Sequence, residues 1–105
     1  VQIVSPIESF DEDKYEMMIQ VMLNAPFYIT KTAIPSMRKN GYGRIINIAS
    51  AHGLRSSPFK VPYCSAKHGL IGQTKSVALE MALENNINWT ANAICPGFVR
   101  TELAI

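Results

Sequence analysis

The sequence lacks the features of a nucleic-acid-binding or membrane-spanning protein. It has 105 residues and a formal net charge of only +2, and its ten lysines and arginines are scattered without forming a basic run. Nucleic acid is therefore not an expected partner. No apolar run approaches the roughly 18 residues that a membrane span needs, so we expect no membrane partner either. The hydrophobic share of 48% is enough for one small domain, residues 1–105.

Cysteine is scarce, and the start of the chain carries no targeting pattern. The only two cysteines, Cys64 and Cys95, do not form a CxxC pair. This favours reduced thiols in a cytoplasmic protein, and we expect no metal site. The first residues have no basic segment followed by an apolar stretch, so we expect no signal peptide. The chain opens on valine instead of methionine, and we expect it to be a fragment of a longer protein.

The first half of the sequence predicts a long helix. A cluster of serine and acidic residues supplies an N-cap and negative charge, and apolar residues then recur at helical spacing. Pro26 and Pro35 each remove a backbone donor, so we expect a kink or break near residue 25 and fraying after Ile34. The pair Asn40-Gly41 is an ordinary C-terminal signal and predicts the end of the helix.

The second half begins with a strand and a loop. Residues 44–50 form a short run rich in isoleucine after a glycine, which predicts a strand buried on both faces. Residues 51–62 are rich in glycine, serine and proline and predict a loop.

A helix and a second strand follow. The pattern is helical from Tyr63 to about Asn85, and residues 89–94 predict another buried strand before a turn at Pro96-Gly97. The order helix, strand, helix, strand is typical of an α/β fold with a parallel sheet and right-handed crossovers.

Three side chains in this region suggest proton chemistry on an alcohol or a ketone. Tyr63 and Lys67 are four residues apart and share one face of the second helix. An ammonium beside a phenol favours the phenolate, which can accept a proton from an alcohol. Ser50 ends the first strand, where ligands bind in open α/β sheets, and its hydroxyl can hold the substrate oxygen. Such a site also needs a hydride partner, and a nicotinamide cofactor is the usual one.

The sequence resembles the short-chain dehydrogenase/reductase family. The resemblance is carried by residues 45–50, by Tyr63-Cys64-Ser65-Ala66-Lys67 and by residues 92–97, which occur in the family's order and spacing. It covers nearly the whole chain. The resemblance implies the C-terminal portion of a Rossmann-type doubly wound parallel sheet, without its first βαβ units. It also implies that the two long helices pair subunits into a homo-oligomer.

The resemblance also implies roles for individual residues. Ser50 would orient the substrate, Tyr63 would be the catalytic acid and base, and Lys67 would bind the nicotinamide ribose and tune Tyr63. The residues that would contact the NAD cofactor are Tyr63, Lys67, Pro96, Gly97, Val99 and Thr101. The residue that distinguishes NAD from NADP would lie upstream of Val1.

A narrower group within the family, the D-3-hydroxybutyrate dehydrogenases, is similar around residues 49–60. In that group the residues matching Gln2, His52 and Lys60 hold the carboxylate of a small hydroxy acid, beside Ser50 and Tyr63. A carboxylate does need a cation and neutral donors opposite it. Without the resemblance, Lys60 would be an exposed loop lysine and His52 a loop histidine bonded to backbone.

Two departures from the family pattern matter. Met22 stands where the family usually carries an asparagine, and a methionine side chain cannot hold the water that relays protons to the active-site lysine. No Gly-rich turn for the cofactor pyrophosphate occurs in the sequence. We therefore expect this polypeptide to be inactive alone. The alternatives are another member of the family acting on sugars, steroids or 3-oxoacyl thioesters, and a non-catalytic remnant that pairs through its helices.

Overall fold

A computed structural model describes residues 3–97. The elements are α1 (Glu12–Ile19), a π-helical turn (Gln20–Asn24), α2 (Ala25–Asn40), β1 (Tyr42–Ile48), α3 (Val61–Ala82) and β2 (Asn88–Ile94), with 3-10 turns at Ile7–Ser9 and Ala51–Gly53. Among the helices of these residues, none combines the length and the apolar character needed to cross a membrane.

The kink or break predicted near residue 25 takes the form of a π-helical turn, because regular α-helix ends at Ile19 and resumes at Ala25 while the chain stays helical through Pro26. Asp11 caps the start of α1, where its side chain accepts a hydrogen bond from the Lys14 backbone N–H at 3.0 Å. The π-helical turn follows α1, and there the Ala25 N–H donates to the carbonyl of Gln20. This wider turn comes just before Pro26, and it accommodates a ring that would clash with an ordinary helical carbonyl.

Pro35 lies inside α2 without ending it, so the predicted fraying after Ile34 is wrong. The helix is held by packing, because Ile34 and Met37 contact the buried cluster formed by α3 and β2. Its predicted end is confirmed at Gly41, which caps α2 in the left-handed conformation with φ of 73°. Tertiary contacts on both sides of the proline thus outweigh one missing backbone donor.

The two strands pair in parallel, as the element order predicted. The register runs from Tyr42 opposite Asn88 to Ile48 opposite Ile94. Backbone bonding continues past the strand ends, where the Ala49 N–H donates to the Ile94 carbonyl at 2.7 Å. Helix α3 forms the crossover that parallel strands require.

One face of this sheet is covered and the other is exposed, which corrects the prediction that β1 is buried on both faces. Ile45 packs against the cluster of Met81, Trp89 and Ala91, on the side of α2 and α3. Ile46 and Ile48 point the other way and are 60% and 57% exposed. Within residues 3–97 both long helices lie against the same face, so alternate β1 side chains have no cover.

Two linked hydrogen bonds, one part-buried and one buried, fix α3 along β1. Asn47 Nδ2 donates to Thr74 Oγ1 at 2.9 Å, and Thr74 Oγ1 donates to the Leu70 carbonyl at 2.7 Å. Thr74 is buried, so loss of its hydroxyl would leave the Asn47 amide without this acceptor. These two hydrogen bonds set how far Tyr63 and Lys67 extend beyond the end of β1.

An ion pair joins the last turn of α2 to Glu84, two residues beyond the end of α3. The Arg38 guanidinium contacts Glu84 at 2.9 Å, and its hydrogen bonds hold the pKa of the Glu84 carboxyl below the ordinary value. The stabilisation from this pair is therefore present above the ordinary carboxyl pKa and is lost as the pH falls through the lowered one. Because both groups are exposed, salt screens the pair.

The loop after β1 packs directly on α3 at Gly53. A Cβ at this buried position would lie 2.9 Å from the Lys67 carbonyl oxygen and would press into the Ile71 side chain. Only a glycine therefore lets the 3-10 turn that follows Ser50 approach the helix so closely.

Gly53→Ala should lower the free energy of unfolding by about 1–3 kcal/mol, because the added methyl group meets backbone that cannot move freely. Urea unfolding followed by the fluorescence of Trp89, the only tryptophan, measures the change. Gly72→Ala is the matched control on α3. Its Cβ would meet nothing within 4 Å, and alanine should stabilise the helix by about 0.5–1 kcal/mol. Wild-type stability of Gly53→Ala would contradict the proposed contact.

Candidate active site

Ser50 lies just beyond the carboxyl end of β1, where the backbone holds it in place. The Ala51 N–H donates to the Pro96 carbonyl at 3.0 Å, which ties this segment to the end of β2. Ser50 is 7% exposed and caps the following 3-10 turn, since its Oγ accepts a hydrogen bond from the His52 backbone N–H at 3.1 Å. Its hydroxyl is therefore fixed at the edge of the sheet that binds ligands in α/β folds.

Tyr63 and Lys67 occupy successive turns at the start of α3. Lys67 Nζ lies 5.7 Å from the centre of the Tyr63 ring and donates to the Ile48 carbonyl at 3.2 Å. The ammonium thus reaches from the helix to the last residue of β1, two residues before Ser50. The crossover brings the helix start and the strand end together, and with them the three residues that the sequence pattern singled out.

His52 lies between the serine and the tyrosine. Its ring is edge-on to Tyr63, with 5.4 Å between ring centres and an interplanar angle of 81°. Its Nδ1 is 3.4 Å from Ser50 Oγ, and its Nε2 is 2.9 Å from Ser57 Oγ. Both ring nitrogens therefore face serine hydroxyls instead of backbone groups.

Ser57 is the residue that sequence reasoning missed. It lies in the loop of residues 51–62, and its only sequence signal is a hydroxyl five residues after His52. Its carbonyl oxygen is 4.0 Å from the Sγ of buried Cys64 on α3, within reach of the thiol. Nothing in the order of residues shows that this loop folds back far enough for Ser57 to meet the imidazole.

Lys60 directly precedes α3 and is half-buried. Its carbonyl accepts a hydrogen bond from the Cys64 N–H at 2.9 Å, so its backbone is fixed one turn before Tyr63. Phe59, just before it, has φ of 67°, a left-handed conformation that is uncommon for a large side chain. The Phe59 carbonyl accepts from the Ser5 N–H at 2.9 Å, which brings the N-terminal segment next to Lys60.

The remaining residues from the sequence pattern divide into two groups. Pro96 and Gly97 follow β2, and Pro96 bonds to the segment of Ser50 as described above. Gln2, Val99 and Thr101 lie outside the described residues 3–97.

Met22 lies in the π-helical turn and is half-buried. Its neighbour Leu23 accepts a hydrogen bond through its carbonyl from Gln73 Nε2 at 3.1 Å, which attaches the turn to α3. The amide of Asn24 donates to Gln20 Oε1 at 2.9 Å, at an exposed position. Asn24 is therefore engaged along its own helix.

Comparison with known proteins gives one family. The model of the family described as short chain dehydrogenase matches residues 1–105. The D-beta-hydroxybutyrate dehydrogenase of Rhizobium meliloti is 53% identical over 103 residues, which cover 98% of this chain and 39% of that protein. The chain thus spans about two fifths of the length of this relative.

Two solved structures resemble the fold closely. The NADH complex of 4-hydroxyisoleucine dehydrogenase has a TM-score of 0.87 and 34% identity, with 98% of this chain and 44% of that chain covered. A gluconate 5-dehydrogenase from Burkholderia cenocepacia, in complex with NADP and tartrate, has a TM-score of 0.87 and 28% identity, with 98% and 39% covered. These matches confirm the predicted Rossmann-type α/β architecture, and with the sequence match they show that the chain belongs to the short chain dehydrogenase family of oxidoreductases.

Proposed function

We propose that this chain is part of an NAD-dependent oxidoreductase that interconverts D-3-hydroxybutyrate and acetoacetate. The observation that carries the proposal is the convergence of Ser50, Tyr63 and Lys67 at one end of the sheet. The choice of substrate is supported by 53% identity to a D-beta-hydroxybutyrate dehydrogenase.

The chemistry divides between the three side chains. Tyr63 would act as the base that takes the proton of the substrate 3-hydroxyl as the C–O bond gains double-bond character, and as the acid that returns a proton in the reverse direction. The Ser50 hydroxyl donates a hydrogen bond to the same substrate oxygen. Lys67, whose Nζ lies 5.7 Å from the centre of the Tyr63 ring, would assist Tyr63 and bind the nicotinamide ribose. Hydride acceptance from C3 is the chemistry that a nicotinamide supplies when bound, and no side chain of this set could replace it.

The substrate carboxylate would be held by Gln2, His52 and Lys60. Lys60 supplies a cation one turn before Tyr63, which suits a substrate with a carboxylate close to its reacting carbon. The bond from Ser5 to Phe59 brings the described start of the chain to the same loop, whereas the role of Gln2, outside the described residues, is proposed from the resemblance alone.

The proposed cofactor is NAD, contacted by Tyr63, Lys67, Pro96 and Gly97 and, beyond the described residues, by Val99 and Thr101. NADH is bound in the solved structure that is 34% identical, whereas NADP is bound in the one that is 28% identical. The sequence offers no Gly-rich turn for the pyrophosphate, so we propose that residues 1–105 form part of a domain and do not turn over alone. Two free thiols support a cytoplasmic protein.

Tyr63→Phe should lower kcat by roughly 100-fold or more, because the acid and base is removed. The measurement uses a chimera in which this chain replaces the matching segment of the Rhizobium meliloti enzyme. NADH absorbance follows turnover of 3-hydroxybutyrate, and NADH fluorescence checks that the cofactor still binds. Tyr28→Phe, at an exposed tyrosine on α2, is the control. Near-normal rates for Tyr63→Phe would overturn the assignment, and turnover by the 105-residue chain alone would overturn its proposed inactivity.

Lys60→Ala should raise KM for 3-hydroxybutyrate roughly 10- to 100-fold, the usual effect of losing a hydrogen bond to a charged group. The KM for the neutral methyl ester of 3-hydroxybutyrate should change little in the same chimera. Lys60→Arg should retain most of the affinity, and Lys75→Ala, at an exposed lysine on α3, is the control. Equal effects on the acid and the ester would remove the carboxylate role of Lys60.

We further propose a homo-oligomer that pairs through α2 and α3. A groove of about 580 Å³ lies between these helices, with half-exposed Phe27 at its edge and Val77, Met81 and Trp89 along its base. The same groove supports a second candidate function, a non-catalytic module that pairs through its helices. Pairing needs no cofactor, and it does not need the proton relay that an asparagine would support at the position of Met22.

Phe27→Lys should reduce the sedimenting mass of the chimera, since a charge would enter an apolar contact. Ile29→Lys is the control, because Ile29 is exposed on α2 but does not line the groove. An unchanged oligomer in both variants would exclude pairing through the groove. A chimera that pairs without oxidising hydroxybutyrate would favour the second candidate.

A further inference from the structure

We propose that Phe59 is a positioning residue whose left-handed backbone directs Lys60 toward the substrate carboxylate. The inference rests on the proposed function, because that function gives Lys60 a carboxylate to bind. It adds a specificity-determining residue that acts through its backbone conformation and need not touch the substrate.

The backbone of Phe59 is in a conformation that its side chain does not favour. Among residues 3–97 it is the only residue other than glycine with a positive φ, which is 67°. In this region Cβ crowds the neighbouring carbonyl oxygen, so bulky side chains are rare there. Phe59 is 52% exposed, so burial of its ring offsets only part of this cost. Strain of this kind persists where the surrounding structure imposes it, and it is concentrated at functional sites.

Phe59 occupies the third position of a turn. The turn lies at Pro58 and Phe59, between Ser57 and Lys60. Proline at the second position and a positive φ at the third fit a type II turn, in which the third residue is usually glycine or asparagine. The ring of Pro58 fixes its own φ and so restricts the turn from one side. The conformation of Phe59 then decides the direction in which the chain leaves the turn, and the next residue is Lys60.

Hydrogen bonds on both sides hold this turn in place. The Phe59 carbonyl accepts from the Ser5 N–H at 2.9 Å, and the Lys60 carbonyl accepts from the Cys64 N–H of α3 at 2.9 Å. Two successive carbonyls are thus engaged by different parts of the chain, the N-terminal segment and the helix. A negative φ at residue 59 would redirect the chain on one side of it, so at least one of these bonds would be lost.

The side chain of Lys60 is suited to bind an anion. Lys60 is half-buried at the N-cap position of α3. Within residues 3–97 the only ion pair joins Arg38 to Glu84, so the Lys60 ammonium has no carboxylate partner in this part of the chain. A partly buried ammonium is stabilised by a charged hydrogen-bond partner, and the substrate carboxylate would supply one. Whether the ammonium reaches it depends on the direction of the Lys60 side chain, which the turn at Phe59 sets.

Substitutions at residue 59 change the strain without altering Lys60. Phe59→Asn should raise the urea midpoint of the 105-residue chain, followed by Trp89 fluorescence, because asparagine tolerates the left-handed conformation. Phe59→Val should lower the midpoint, because a β-branched residue is poorly compatible with a positive φ. Phe59→Leu removes the aromatic ring without β-branching and should stay close to wild type. Leu54→Val is the control for β-branching in the same loop, because Leu54 is exposed and has an ordinary φ of −112°.

Kinetics in the chimera test the consequence for Lys60. Phe59→Val should raise KM for 3-hydroxybutyrate roughly three- to tenfold, because a less populated binding conformation weakens the apparent affinity by the same factor. The kcat and the KM for the methyl ester should stay unchanged, and NADH fluorescence checks that the variant is folded. Phe59→Asn, Phe59→Leu and Leu54→Val should keep the wild-type KM. In a Lys60→Ala background, Phe59→Val should raise KM no further.

Several results would overturn the proposal. Equal urea midpoints for Phe59→Asn and Phe59→Val would contradict the left-handed conformation. A lowered midpoint with an unchanged KM in Phe59→Val would show that the strain does not serve Lys60. An effect of Phe59→Leu as large as that of Phe59→Val would assign the role to the aromatic ring.

The substrate comparison and the double variant exclude a less specific effect. A rise in KM that is equal for the acid and the ester, or that persists in the Lys60→Ala background, would show that residue 59 does not act through Lys60. An unmodified chimera that does not oxidise 3-hydroxybutyrate would overturn the proposed function and this role of Lys60 with it. The urea midpoints do not depend on turnover, so the two failures are distinguishable.

Discussion

The packing of α3 against the parallel pair β1 and β2 is the constraint on which the site depends. Thr74 links Asn47 of β1 to the backbone of α3 through one part-buried and one buried hydrogen bond. A helix held in this register cannot slide along the strand without leaving buried polar groups unpaired, which is costly. The start of α3 therefore projects past the end of β1, and Tyr63 and Lys67 lie over the strand end.

The loop between Ser50 and α3 completes the candidate site. Gly53 lets the loop lie directly on α3. The hydrogen bond from Lys67 to the Ile48 carbonyl joins α3 to the end of β1. His52 then contacts Ser50, Ser57 and Tyr63 together. Proton positions in such a network are coupled, because each hydroxyl has a single proton to share.

Sequence reasoning failed where tertiary contacts outweighed local preference. Pro35 predicted fraying after Ile34, but α2 continues to Asn40, since Ile34 and Met37 on either side of the proline pack on α3 and β2. The isoleucine-rich strand predicted burial on both faces, yet Ile46 and Ile48 are exposed in the described part of the chain. Composition alone cannot distinguish these cases, because it does not say how many elements cover each face.

By itself the sequence determined the α/β class, the order of its elements and three candidate side chains for the proposed reaction. The spacing of Tyr63 and Lys67 places them on one helical face, and strand endings in parallel sheets are where ligands bind. Only the tertiary structure decided that the loop folds back to bring Ser57 within 2.9 Å of His52. The physical reason is that helical and strand periodicities are local patterns, which the sequence shows directly. The path of a loop is set instead by close contacts with other elements, such as those of Gly53 with α3.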